Sequence, residues 1–160
     1  MVLGINVKGC QYSISCMYSG FALFRYEILR IWNQELGELY KKQHDSAFED
    51  FINRDKLEPF KKFINYQERN RMGEKIKNIL DNYDKPYNEG MRIFAFHSDC
   101  EWEINPEECV LLLKSFGRID PEKFVKSEDN EFLRESYDIW LEMLTFAIEN
   151  NESIIFGWMN

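Results

Sequence analysis

The densest run of chemistry-bearing side chains is His97-Ser98-Asp99-Cys100-Glu101-Trp102-Glu103-Ile104-Asn105-Pro106-Glu107-Glu108-Cys109, which sets one of the two histidines of the chain beside a series of acids and two thiols. Hard-cation binding is one chemistry this composition suggests. A twelve-residue calcium loop takes ligands from positions 1, 3, 5, 7, 9 and 12 and a glycine at position 6. Counted from His97, the acids Asp99, Glu101 and Glu108 fall at positions 3, 5 and 12 and are the candidate metal ligands. Against this, histidine at position 1 suits a hard cation poorly, and Trp102 at position 6 resists the positive φ that glycine supplies.

Two further chemistries use the same run. His97, Cys100 and Cys109, with Cys10 or Cys16, have the ligand types zinc prefers, but the paired C-x₂-C spacing is absent. Cys100 as nucleophile with His97 as base is compatible with an i, i+3 turn, yet no family-specific flanking pattern accompanies it. The candidate functional loop therefore comprises His97, Ser98, Asp99, Cys100, Glu101, Glu103 and Glu108. A plainer reading is preferred for its second half: Asn105 as N-cap, Pro106 at the first helical position and two acids in the first turn start a helix. No metal or cofactor is assigned. His44, between Gln43 and Asp45, reads as a solvated surface histidine, and Cys16 and Cys109 as core thiols.

This run also carries a resemblance. His97-Ser98-Asp99-Cys100, then Glu103-Ile104 and Pro106-Glu107-Glu108-Cys109, resembles the signature HSDC-x-G-E-[IL]-x-PEEC of a family of small, uncharacterised bacterial proteins. Tyr18-Ser19-Gly20-Phe21 with Phe24-Arg25, and the C-terminal Asn151-Glu152 and Ile154-Ile155-Phe156-Gly157, are similar to that family's opening and ending. Trp102 stands where the family has glycine, and the middle third is unmatched. A length of 160 residues with no linker or internal repeat reads as one domain spanning 1–160; the resemblance agrees with that and implies no known activity.

The elements that must position this loop follow from periodicity. Val2 to Val7 and Gln11 to Met17 around Lys8-Gly9 predict a β-hairpin. With Ser19 as N-cap, apolar residues recurring from Phe21 to Leu39 predict an amphipathic helix over 20–41. Shorter helical pieces follow around 48–52, 57–64 and 72–83, and Met91 to Phe96 reads as a buried strand. Gly117 is expected to close the helix after Asn105, Asp120-Pro121 to open a short one, a long helix to cover 129–150, and Ser153 to Trp158 to form a last strand. The fold class is α+β, predominantly helical, with a small antiparallel or mixed sheet made of the hairpin, the central strand and the C-terminal strand.

Charge narrows the partners. Across 160 residues, 20 Lys/Arg face 28 Asp/Glu, a net charge of -8, which argues against nucleic acid. Residues 1–75 carry 12 basic and 10 acidic side chains, so the excess lies beyond residue 75. Basic residues interleaved with Phe60, Phe63 and Tyr66 between 54 and 77 read as solvated helix faces over a buried aromatic stripe. The acidic cluster of Asp120, Glu122, Glu128, Asp129, Glu131, Glu135, Asp138 and Glu142 suits a basic protein partner, in the way immunity proteins capture nuclease toxins. No membrane-length apolar run and no export signal are visible, so a cytoplasmic location is expected, and the Asn151-Glu152-Ser153 sequon is read as chance. The oligomeric state is left open. The reading preferred is a non-enzymatic interaction protein with an acidic surface; the alternative is a small enzyme or metal protein centred on His97–Cys109.

Overall fold

Alternation in the first seven residues makes the centre of a sheet: Leu3, Ile5 and Val7 point to one buried face. This strand, β1 (Val2–Val7), pairs antiparallel with β2 (Ser13–Met17) on one side and β4 (Ile154–Met159) on the other, and β3 (Trp102–Ile104) adds to β4, giving the order β2-β1-β4-β3. Register places Ile5 opposite both Ile14 and Phe156, and Ile104 opposite Ile154. The structure, a computed structural model, describes residues 2–96, 101–125 and 131–159. The chain is α+β and mostly helical, with a small antiparallel sheet built from its two ends and an internal strand.

Among the described residues there are six helices, α1 (Tyr18–Trp32), α2 (Gln34–Ile52), α3 (Pro59–Asn82), α4 (Asn88–Phe96), α5 (Pro106–Phe116) and α6 (Glu131–Asn150), with a 3-10 turn at Pro121–Lys123; α1 and α6 pack on the sheet, and α2 to α5 build outward from them. The inner face of α6, Leu133, Tyr137, Trp140, Met143, Leu144 and Ala147, lies over β1, β2 and β4. Phe94 is the hub of the core. Its ring meets Phe21, Phe24, Phe116 and Trp140 edge-on at centroid distances of 5.2 to 6.3 Å.

Phe94 belongs to the segment expected as a strand, and that expectation is overturned. Met91–Phe96 makes up the last six of the nine residues of α4, because Met91, Phe94 and Ala95 bury one helical face at i, i+3 and i+4. Its start is tied down by Asn88, whose side chain donates to the Leu80 carbonyl at 2.8 Å. At Gly90 α4 crosses α5 so closely that a Cβ would lie 2.3 Å from the Leu111 carbonyl oxygen. The internal strand of the sheet is instead Trp102–Ile104.

Other boundaries also shift. The helix expected over 20–41 breaks at Asn33, whose extended backbone (φ -153°) ends α1 and whose Oδ1 accepts from the Leu36 N–H at 2.9 Å to cap α2. α1 begins at Tyr18 with Met17, not Ser19, at the N-cap position. The pieces expected at 57–64 and 72–83 form one helix, α3. Gly117 follows α5 but in the right-handed conformation (φ -62°). The stripe Phe60, Phe63 and Tyr66, expected to be buried, is exposed.

Candidate functional site

Of the loop singled out above, His97, Ser98, Asp99 and Cys100 lie outside the described residues. Glu101 and Glu103 are exposed on either side of Trp102, whose ring packs 4.9 Å from that of Phe156. Glu108 is engaged: its Oε1 accepts from the Asn105 N–H at 3.2 Å while Asn105 Oδ1 accepts from the Glu108 N–H at 2.8 Å, a complete capping box. Cys109 is fully buried, its Sγ donates to the Ile104 carbonyl, and burial pushes its thiol up to about 12, with the neighbouring Glu108 charge adding to the shift. Cys10, Cys16 and Cys109 are free thiols, and burial raises Cys16 as well. Among the described residues no group of three His, Cys, Asp or Glu side chains is placed to hold a metal.

The structure gathers a different set of groups on the solvent face of α6. Glu131, Glu135, Asp138 and Glu142 recur at i, i+3, i+4 and so share one side of the helix. They line a groove of about 610 Å³ with Tyr12, Arg134 and Ile139. A second groove, of about 330 Å³, continues from Tyr12 and Glu142 to Phe146 and Glu149 under the β1–β2 turn. The two share Tyr12 and Glu142, and their lining residues together run along α6 from Glu131 to Glu149, about 27 Å at 1.5 Å per helical residue, a trough made of shallow adjoining grooves. Its other wall exists because Gly9 takes φ +82°, turning the hairpin so that Cys10, Gln11 and Tyr12 face α6.

The electrostatics of this trough are one-sided. Arg134 is its sole cation among the lining residues, and it is engaged by Glu122 at 3.1 Å and by Asp138 at 3.5 Å. Those contacts, the Glu122 hydrogen bond first, raise the guanidinium above its ordinary pKa. Five carboxylates therefore face one satisfied guanidinium. Apolar surface lies between them on Ile139, Phe146 and the Tyr12 ring, the composition of a surface that takes long cationic side chains.

Compared with protein-family models, with curated proteins and with solved structures, the chain matches none.

Glu131, Glu135, Asp138 and Glu142 were legible as an acidic cluster; Glu128 and Asp129 lie outside the described residues. The contribution of the hairpin turn was not legible, since Tyr12 is more than a hundred residues from α6 in the chain. Sequence reading also missed two buried charges in α1. Arg25, in one of the patches that carry the family resemblance, donates to the Tyr40 hydroxyl at 2.7 Å and lies 4.9 Å from the Phe21 ring centroid. Glu27 accepts twice from Arg30, at 3.0 and 2.9 Å. His44 is half-buried rather than fully solvated, and lines grooves on both sides of α2.

Proposed function

We propose that the protein is a non-enzymatic interaction protein whose trough between α6 and the β1–β2 turn captures a basic polypeptide segment. The observation that supports this most is that the two grooves adjoin at Tyr12 and Glu142, which sets the acids of α6 in one line beside the hairpin turn. Carboxylates spaced along a helix attract a cationic segment at long range and fix its register at contact. The Tyr12, Ile139 and Phe146 surfaces then cover the methylene stems of lysine or arginine.

The test is fluorescence anisotropy with a labelled peptide alternating lysine or arginine with leucine, against the same peptide carrying glutamate. The basic probe binds at low salt, and binding weakens steeply as ionic strength rises. Reversals at Glu135→Lys, Asp138→Lys and Glu142→Lys each weaken it roughly three- to five-fold at low salt, as expected for exposed charges close to a bound cation. Equal binding of the two peptides, or an unaffected triple variant, rules the reading out.

A further inference from the structure

From Glu38 to Lys75 no residue is buried. This stretch, the outer part of α2 with most of α3, is a helical arm: its base at Leu39 and Tyr40 rests on α1 and the core, and beyond Asp45 the two helices run side by side toward their tip. Its seam is polar. Asp50 accepts from Arg69 and, at 2.7 Å, from Asn65, while Arg69 also donates to Ser46 and the Gln43 amide donates to the Arg69 carbonyl at 3.0 Å. Six of its large apolar side chains point outward: Phe48, Phe51, Ile52, Phe60, Phe63 and Tyr66 are each between 55% and 72% exposed, while Leu57, Ile64 and Met72 are half-buried.

These side chains continue one face. His44, Ala47 and Tyr66 line a groove along the arm. Phe48 lies four residues beyond His44, Phe51 four beyond Ala47, and Phe63 three before Tyr66, so all three extend that face toward the tip. Phe60 and Ile52 prolong it by one further step each. An amphipathic helix pair normally turns its apolar faces inward; here the apolar faces are left outside a hydrogen-bonded seam.

Area and charge together indicate what covers them. Aromatic side chains carry 150–250 Å² each, so five of them and an isoleucine at these exposures present roughly 700 Å² of apolar surface. That exceeds the patch of an ordinary monomer and approaches the ~800 Å² per partner of a standard interface. Residues 38–75 hold nine basic and eight acidic side chains, whereas the whole chain carries -8. The arm is thus the part of the surface where two copies of this acidic chain meet without like-charge repulsion. We propose that it is a dimerisation element: two arms pack face to face about a two-fold axis, making an intermolecular four-helix bundle with the aromatic residues at its centre. This is independent of the acidic trough, which lies on α6.

The experiment is sedimentation equilibrium of the full chain from about 1 to about 100 μM, a range that brackets a micromolar dimer. The expected mass rises from 19.3 kDa to twice that value. The double variant Phe51→Ser with Phe63→Ser raises the dimer Kd about a hundredfold or more, as for loss of two interface anchors. Phenylalanine and serine have similar helix propensities, so its far-UV circular dichroism and its binding of the basic peptide stay unchanged. A chain that remains monomeric throughout overturns the proposal, whether or not it floats with anionic phosphatidylserine vesicles. Dimerisation with the same Kd in the double variant overturns it too.

Discussion

The capping box at Asn105 and Glu108 offers a direct way to separate a structural role for the 97–109 run from a metal-binding one. A helix leaves its first four N–H groups without intrahelical partners. In α5 one of these is absent because Pro106 has none, and the Asn105 and Glu108 amides are taken by the reciprocal pair, leaving the Glu107 amide for water. Asn105→Ala removes the shorter, 2.8 Å bond and costs about 1 kcal/mol. For a chain of this size that lowers Tm by about 2–4 °C. Glu108→Ala removes the longer, 3.2 Å bond and an acid from the first turn, at about 0.5 kcal/mol. Glu108→Gln keeps the hydrogen bond and loses the charge, so its Tm lies between wild type and Glu108→Ala. Thermal unfolding followed by circular dichroism, with and without calcium and with chelator, reads all of these. A cap responds to geometry and ignores the ion. A wild-type Tm that drops in chelator, together with a glutamine variant as unstable as the alanine one, would refute the capping account and reinstate Asp99, Glu101 and Glu108 as ligands.

Two other outcomes follow from the core and from its ion pairs. With the Cys109 thiol near 12, about one molecule in ten thousand is ionised at pH 8. Alkylation of Cys109 in the folded chain, resolved by peptide mass spectrometry, is therefore about a thousandfold slower than in the urea-unfolded chain; equal rates would contradict its placement. Asp84 is held below the ordinary carboxylate range, first by hydrogen bonding from Arg118 and then by the Trp32 indole N–H at 3.0 Å. Its folded pKa is the lower one, so its stabilisation is present above the unfolded value of about 3.9 and is lost as pH falls through the folded value. Asp84→Asn, which tolerates the residue's φ of 53°, is less stable than wild type near neutrality, and urea midpoints of the two converge in acid; a gap independent of pH would show that the charge is not the cause.

What could be read in advance follows from where each signal is stored. Asn105-Pro106 and the apolar stripe of α6 carry their instructions locally, and both appear in the structure where expected. Met91 to Phe96 misleads because six residues, five of them apolar, are too few to show a helical period, and only the burial of Met91, Phe94 and Ala95 with Arg92 outside reveals it. Phe60, Phe63 and Tyr66 mislead in another way. Their spacing gives a helix, but nothing in spacing says whether the apolar face has a partner within the same chain. The trough was half legible: the carboxylates of α6 are local, while Tyr12 joins them only once β1 pairs with β4 and brings the chain's two ends together.

The ionic and amide character of the arm's seam has a thermodynamic consequence. Around Asp50 and Arg69 the contact of α2 with α3 is made by charged and amide hydrogen bonds, and no side chain from Glu38 to Lys75 is fully buried, so in the monomer its opening exposes less hydrocarbon per residue than unfolding of the core and depends less steeply on urea. The body around Phe94 and Trp140 has the opposite signature, a curved stability profile dominated by apolar hydration. In hydrogen exchange of the monomer the amides of the outer arm are therefore expected to open locally and exchange ahead of those of β1 and α6.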